Sequence, residues 1–301
     1  MSERIQKILA RAGYGSRRQI ETWIKEGKVQ LNGELASLGD QANVGDTLRM
    51  DGKPLSPKRL WQQPQQVILY NKPVGEVCTR KDPEGRRTIF QSLPAPEEGR
   101  WVSVGRLDIN TSGLILLTTD GDLANKLMHP SNEMDREYAV RVLGEVTTEI
   151  MQNLRDGVEL EDGKAKFADI QDGGGEGANH WYHVVIQEGR NREVRRLWES
   201  QGVQVSRLMR VRYGPIIIPK QLKMGRWMIA LPGDVEALYE SVDSLQTLAA
   251  PKIAGRAQRE KTLRPLKNMA SKPSNVGSKP SRQKTSSSDV KSKREPRVRG
   301  R

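Results

Sequence analysis

The chain has 301 residues, with 50 Lys and Arg against 37 Asp and Glu and a net charge of +13. Residues 251–301 carry 16 basic and 3 acidic residues, so the charge excess lies in this tail. No apolar run approaches the ~18 residues of a membrane helix, there is no apolar signal core, and the single Cys78 excludes an intrachain disulfide. These features predict a soluble cytoplasmic protein whose tail binds a polyanion or serves solubility or targeting.

Residues 3–55 predict a small compact domain. Apolar residues between positions 5 and 12 recur at helical spacing, and Ser16 with Gln19 indicates the start of a second helix. A short strand then turns at Asn32-Gly33. The order of these elements predicts two helices followed by strands.

Arg17 and Arg18 fall in the first turn of the second predicted helix, where the helix dipole disfavours cations. The free N–H groups of that same helix end attract anions. The two arginines are therefore candidates for binding an RNA phosphate, with a solvated surface as the alternative. The pattern over residues 3–52 (helix, Gly-Ser-Arg-Arg, helix, strand, Asn-Gly) resembles the S4-type RNA-binding domain, or αL motif.

The remaining chain divides into three predicted segments. Residues 56–66 are rich in Pro and Gln without periodicity and are interpreted as a linker. Residues 67–245 alternate short apolar strands with fewer helices, which predicts an α+β domain with a mixed, mainly antiparallel sheet. Residues 251–301 lack aromatic residues, and we expect them to be disordered.

The sequence Gly105-Arg-Leu-Asp-Ile-Asn-Thr-Ser-Gly113 forms a polar segment between two predicted strands. Glycine at both ends permits a sharp turn and places Asp108 at the rim of the sheet. By itself, Asp108 fits two interpretations: a carboxylate available for chemistry, or a turn residue that binds its own backbone.

This segment resembles the catalytic motif of pseudouridine synthases, in the branch that modifies ribosomal RNA and carries an S4-type domain. Lys72-Pro-Val-Gly75, Arg136-Glu-Tyr138 and 188–196 (Glu-Gly-Arg-Asn-Arg-Glu-Val-Arg-Arg) resemble the other motifs of the family in order and spacing. The resemblance covers about residues 3–240. It implies isomerisation of uridine in large-subunit (23S) ribosomal RNA without a cofactor or metal. A monomer is the default expectation for the oligomeric state.

The resemblance implies a role for three residues. Asp108 would be the catalytic aspartate, acting as nucleophile or charge stabiliser. Tyr138 would stack on the flipped base or move a proton, although its strand position also fits plain core packing. Arg195 would be the partner of Asp108, and its place at the edge of an apolar helix stripe independently predicts that it reaches into a cleft and pairs with that carboxylate.

Other basic residues are candidates for RNA contact. Arg106 adjoins Asp108, and Arg192 and Arg196 lie opposite the apolar stripe, in solvent or against phosphate. Weaker candidates lie in two groups: Lys72, Arg80 and Arg86, and the set Arg207, Arg210 and Arg212, for which a solvated edge strand is the alternative.

Three other functions stay open from the sequence. The first is a non-catalytic RNA-binding factor in ribosome assembly, which would not need Asp108, Tyr138 and Arg195 together. The second is the same chemistry on small-subunit RNA. The third, a hydrolase that uses Asp108 with a histidine, lacks a histidine near that position in the sequence.

Overall fold

The structure is a computed structural model, and it describes residues 2–62, 65–176 and 179–243. The tail at 251–301, for which we predicted disorder, lies outside the described residues.

The N-terminal region packs two helices against short strands. Ile5, Leu9, Ile20 and Leu48 lie in one buried core, so the apolar spacing predicted for the first helix is the face that it buries. Ser16 accepts a hydrogen bond from the backbone N–H of Gln19 at 3.2 Å, as predicted for the start of the second helix. The strands pair in the order β3-β2-β5-β6, with β1 on β4. The elements are β1 (Glu3–Arg4), α1 (Ile5–Arg11), α2 (Arg17–Lys25), β2 (Val29–Leu31), β3 (Glu34–Leu35), β4 (Gln41–Ala42), β5 (Leu48–Met50) and β6 (Lys53–Pro54).

The segment 56–66, which we interpreted as a linker, contains a helix, α3 (Pro57–Trp61). Pro57 occupies the start of the helix, where its fixed φ is favourable and its missing N–H costs nothing. Leu60 is 1% exposed and joins the N-terminal core. Composition without visible periodicity concealed a five-residue helix held by one buried side chain.

Residues beyond position 66 form a nine-stranded mixed sheet with helices, which confirms the predicted α+β class. Seven strands follow the order β13-β14-β10-β15-β9-β7-β17, with β16 on β15 and β8 on β9. Among the described strands, only β15 and β9 pair in parallel. The elements are β7 (Val67–Lys72), β8 (Val102–Val104), β9 (Ser112–Thr118), α4 (Gly121–Met128), β10 (Arg136–Leu143), α5 (Thr148–Asp156), β11 (Val158–Leu160), β12 (Gly163–Ala165), β13 (Asp169–Glu176), β14 (Asn179–Ile186), α6 (Glu193–Glu199), β15 (Gln204–Tyr213), β16 (Ile216–Ile217), β17 (Trp227–Ile229) and α7 (Pro232–Asp243), with 3₁₀ turns at Ile89–Gln91 and Pro130–Asn132.

The central strands β7 and β9 are buried on both faces, and alternate residues enter two hydrophobic cores. One core contains Tyr70 and Leu117 together with Tyr138, and α6 contributes Val194 to it. The other core contains Leu69 and Leu116, with side chains of α4 and α7. Tyr138 and α6, the helix that carries Arg195, therefore pack on the same face of these strands.

The N-terminal elements contact the larger sheet region directly. Lys7 Nζ lies 2.6 Å from the Asp122 carboxylate at the start of α4. Gly13 has a φ of +79°, and a Cβ at this position would lie 2.6 Å from the carbonyl oxygen of Gly99. Glycine is therefore required where the chain leaves α1 and meets the loop before β8. Within the described residues, no helix is long and apolar enough to span a lipid bilayer.

Candidate active site

Asp108 lies on a tight loop between β8 and β9. The backbone N–H of Thr111 donates to the carbonyl oxygen of Asp108 at 3.0 Å, which closes the turn. Leu107 and Thr111 are buried, whereas Asp108 is half-buried. Gly105 and Gly113 have φ values of +77° and +104°, so the glycines at both ends serve the sharp turn that the sequence predicted. The loop is therefore anchored by its buried residues, while the Asp108 side chain remains partly exposed.

Lys72 holds this loop from beneath. Its side chain is fully buried, and Nζ donates to the carbonyl oxygens of Pro73 at 3.0 Å, Asp108 at 3.1 Å and Thr111 at 2.9 Å. Burial lowers the pKa of Lys72, and the negative charge of Asp108 is one of the influences that oppose this shift. Lys72 is therefore a positioning residue for Asp108, and its complete burial corrects the prediction that it contacts RNA.

Arg195 reaches the same loop from α6. It is 6% exposed, and its guanidinium donates to the carbonyl oxygens of Asn110 and Val205, each at 3.0 Å. Burial and then the charge of Arg192 lower the pKa of Arg195, while the charge of Asp108 acts in the opposite direction. Arg195 therefore lies within electrostatic range of Asp108 and fixes the loop two residues beyond it.

The predicted direct ion pair between Arg195 and Asp108 is not formed in the described structure. The two terminal nitrogens of Arg195 donate to main-chain carbonyls instead, one on the Asp108 loop and one at β15, whereas its buried Nε has no hydrogen-bond partner among the described residues. Sequence spacing identified the residue that faces the loop. The spacing could not identify the hydrogen-bond acceptors of Arg195, because every residue has a backbone carbonyl.

Tyr138 lies on β10 and is 8% exposed. Its Cα pairs with that of Arg210 on β15, and Arg210 in turn pairs with Gly113 at the end of the Asp108 loop. Neighbouring strands lie ~4.8 Å apart, so Tyr138 is about 10 Å from Gly113 across the sheet. Tyr138 shares the hydrophobic core that contains Leu107. Strand pairing therefore brings Tyr138 and the loop of Asp108 to the same region and face of the sheet.

These contacts define what the arrangement can do chemically. A carboxylate stands on a loop that two buried cations hold through backbone carbonyls, with a phenol on the adjacent part of the same face. Such a carboxylate can act as a nucleophile or stabilise developing positive charge, and the fixed loop limits the reorganisation that reaction would require.

Comparisons with known proteins identify the fold and its chemistry. The family model described as RNA pseudouridylate synthase matches residues 66–200, and that of the S4 domain matches residues 3–48. Ribosomal large subunit pseudouridine synthase B of Pseudomonas aeruginosa is 55% identical over 273 residues, which cover 88% of this chain and 70% of that protein. This chain belongs to the pseudouridine synthase family.

Further similarities agree with this assignment. Ribosomal large subunit pseudouridine synthase B of Escherichia coli (strain K12) is 57% identical over 229 residues, covering 75% of this chain and 79% of that protein. A crystal structure of a pseudouridylate synthase, 27% identical, gives a TM-score of 0.55 over 78% of this chain and 99% of its own. The resemblance inferred from the motifs is therefore confirmed. The synthase match contains Asp108, Tyr138 and Arg195.

The predicted RNA-contacting arginines of this synthase lie in different environments. Arg17 and Arg18 are exposed in the first turn of α2, and Arg106 is exposed beside Asp108. Arg192 is exposed, has a φ of +49° and is the N-cap residue of α6. These four side chains are accessible to a ligand.

Arg196 is engaged within the protein. Its guanidinium forms two parallel hydrogen bonds with the Asp162 carboxylate at 2.7 and 2.8 Å, and this partner raises the pKa of Arg196. An RNA phosphate would have to compete with Asp162 for this arginine. The sequence correctly predicted that Arg196 lies opposite the apolar stripe of α6. It did not predict the partner, Asp162, which lies 34 residues away in the chain.

Arg210 is a buried residue that sequence reasoning misplaced. The sequence allowed a solvated edge strand there, whereas β15 lies between β10 and β9 and Arg210 is 2% exposed. Its Nε donates to the carbonyl oxygen of Leu114 at 2.7 Å, just after the Asp108 loop. The signal available was the apolar pattern around Arg210 on a ten-residue strand, which alternating arginines concealed.

Proposed function

We propose that this chain isomerises uridine to pseudouridine at a specific position of 23S ribosomal RNA. The support is the loop that carries Asp108, which Lys72 and Arg195 hold on the face of Tyr138 in a chain of this family. Relatives at 55% and 57% identity are named ribosomal large subunit pseudouridine synthase B. The S4 domain match over residues 3–48 supports an RNA substrate.

The reaction rearranges one nucleoside without net oxidation. The bond between N1 of uracil and C1′ of ribose breaks, the base turns, and a bond forms between C5 and C1′. A proton leaves C5 and one is gained at N1, so the atoms balance without an added reactant. The uridine must leave its stack for the carboxylate to reach it.

Three residues of this chain would carry the reaction. Asp108, as a carboxylate, attacks the nucleoside or stabilises the charge that develops when the N1–C1′ bond breaks. Tyr138 stacks on the turned-out base or moves the proton. Arg195 is a positioning residue, because it binds the carbonyl oxygen of Asn110 rather than the Asp108 carboxylate.

The proposal extends to the surroundings of the site. Arg17, Arg18, Arg106, Arg192 and Arg196 would contact RNA phosphates, with Arg196 exchanging its Asp162 partner. We propose a domain division at 3–55 and 67–245 in a cytoplasmic monomer. The basic residues of 251–301 would add a salt-sensitive contribution to RNA affinity that is independent of base sequence.

The test is Asp108→Asn in the full-length protein, with unmodified 23S RNA made by transcription as substrate. We expect pseudouridine formation, mapped by chemical probing, to fall by at least ~10³-fold because a carboxamide is neither nucleophilic nor charged. RNA affinity should stay within about threefold of wild type. Retained turnover, or modification of 16S RNA instead, would contradict the proposal. Binding by the wild type without any product would favour a non-catalytic assembly factor.

A further inference from the structure

A cleft lies between α1 and α2 of the N-terminal region and the segments before β8 and at the start of α4. It is lined by polar and charged residues that include Lys7, Arg11, Arg17, Arg100, Asp122 and Asn125. Two of its four cations are paired within the protein. Lys7 binds Glu3 at 2.8 Å and Asp122 at 2.6 Å, and Arg11 binds Glu3 at 2.7 Å.

Arg17 and Arg100 differ from those two cations. Among the described residues, neither has a carboxylate within ion-pair distance. Burial lowers the pKa of Arg100, and the positive charges of Arg80 and Arg17 lower it further. Arg80 does not line the cleft; its guanidinium lies 4.4 Å from the centre of the Phe90 ring and donates to the carbonyl oxygen of Trp101. Asp120 and Asp122 also line the cleft, but Asp122 pairs with Lys7, and within the described part of the chain neither carboxylate pairs with Arg17 or Arg100.

Arg100 is half-buried and Arg17 is exposed, and two like charges that line one cleft are unfavourable unless an anion joins them. The N-terminus of α2 adds to the same field, because Arg17 stands in the first turn of this nine-residue helix. Guanidinium groups bind phosphate oxygens through pairs of parallel hydrogen bonds. The missing charge thus matches a phosphate group.

We propose that Arg17 and Arg100, which line the same cleft, together bind one backbone phosphate of the RNA substrate, at a site that neither the N-terminal region nor the sheet region contains alone. This inference rests on the proposed function for the identity of the phosphate. Arg100 precedes Asp108 by eight residues, which span at most ~29 Å when fully extended. An RNA held here is therefore within reach of the Asp108 loop, and the S4 region acts by fixing the position of the RNA relative to that loop.

The experiment is a double-mutant cycle in the full-length protein: Arg17→Gln, Arg100→Gln and both together, with Arg49→Gln as the control. Arg49 is an exposed arginine on β5 outside the cleft lining, so its substitution removes the same charge. Filter binding of transcribed 23S RNA at 50–200 mM salt gives the affinity and its salt dependence.

Each single cleft variant should weaken binding ~5- to 20-fold and reduce the salt slope by about 0.7–0.9, the contribution of one phosphate. The double variant should be no more than about twofold weaker than the worse single variant, because both arginines serve the same phosphate. Arg49→Gln should stay within about twofold of wild type.

Three results would overturn the inference. The losses of RNA affinity could multiply in the double variant, they could equal the loss from Arg49→Gln, or the cleft variants could bind within about twofold of wild type. Pseudouridine formation by the wild type on the same RNA separates this result from the proposed function. If the wild type forms pseudouridine but the losses of affinity multiply in the double variant, the shared phosphate site is disproved and the proposed function stands. If the wild type forms no pseudouridine but the losses of affinity do not multiply in the double variant, the phosphate site stands and the proposed reaction is disproved.

Discussion

The Asp108 loop and the cleft between the N-terminal region and the sheet both contain arginine or lysine side chains, but the partners of these side chains differ. At the loop, Lys72 and Arg195 each bind two or more main-chain carbonyl oxygens. At the cleft, Arg17 and Arg100 have no carboxylate partner among the described residues, and their charges repel each other.

This difference separates two uses of a cation. A buried donor that satisfies several carbonyls fixes the backbone, and it contributes to the folded state before any ligand arrives. A partly buried cation without a partner costs free energy in the free protein and recovers it when an anion binds. The cations at the loop therefore hold the backbone rigid, whereas the cations in the cleft are available to bind an anion.

Gly113→Ala should break the loop region most severely. A Cβ at position 113 would overlap the carbonyl oxygen of Arg210 on the neighbouring strand, and Gly113 has a φ of +104°. Because strand backbone cannot move aside cheaply, we expect the free energy of unfolding, measured in urea, to fall by about 4 kcal/mol or more.

Gly105→Ala is the matched control for that change. Its φ is +77°, but nothing lies within 4 Å of the added Cβ, so only the left-handed conformation is penalised, by about 1–2 kcal/mol. Equal losses from the two substitutions would show that the close approach of β15 to Gly113 is not what holds the end of the loop.

Lys72→Met should produce the next largest effect. The change leaves the carbonyl oxygens of Pro73, Asp108 and Thr111 without their donor in a dry site, and we expect the free energy of unfolding to fall by about 2 kcal/mol. Displacement of Asp108 should also lower single-turnover pseudouridine formation by ~10- to 100-fold.

Lys53→Met, at an exposed position on β6, should leave both quantities of the Lys72 experiment unchanged. Wild-type turnover in a stably folded Lys72→Met protein would show that the lysine has no influence on the position of Asp108.

The sequence predicted the parts of this arrangement that local chemistry determines. Ser16 caps α2, Gly105 and Gly113 adopt left-handed conformations at the ends of the loop, and Tyr138 shares a buried face with its strand neighbours. Helix caps, glycine turns and strand alternation act within a few residues, so single-sequence patterns detect them.

Long-range packing determined what the sequence did not predict. Lys72 binds a carbonyl 36 residues away and Arg195 binds one 85 residues away, and a carbonyl oxygen belongs to every residue type. Arg210 is buried because β15 lies between β10 and β9, a pairing that the alternating arginines of the strand do not indicate. Acceptors and strand neighbours of this kind become visible only in the folded chain.

The smallest expected change in stability comes from a comparison of Arg195, which binds main-chain carbonyls, with Arg100, which has no carboxylate partner among the described residues. Arg195→Gln removes two hydrogen bonds to main-chain carbonyls, a buried one to Val205 and a partly buried one to Asn110, so the free energy of unfolding in urea should fall by about 2 kcal/mol. Arg100→Gln removes a charge that its neighbours repel, so the free energy should be unchanged or rise by up to about 0.5 kcal/mol in low-salt buffer without phosphate. A loss from Arg100→Gln as large as that from Arg195→Gln would show that Arg100 is a packing element of the boundary. The cleft would then be organised for rigidity in the same way as the loop, and the contrast between the two regions would not hold.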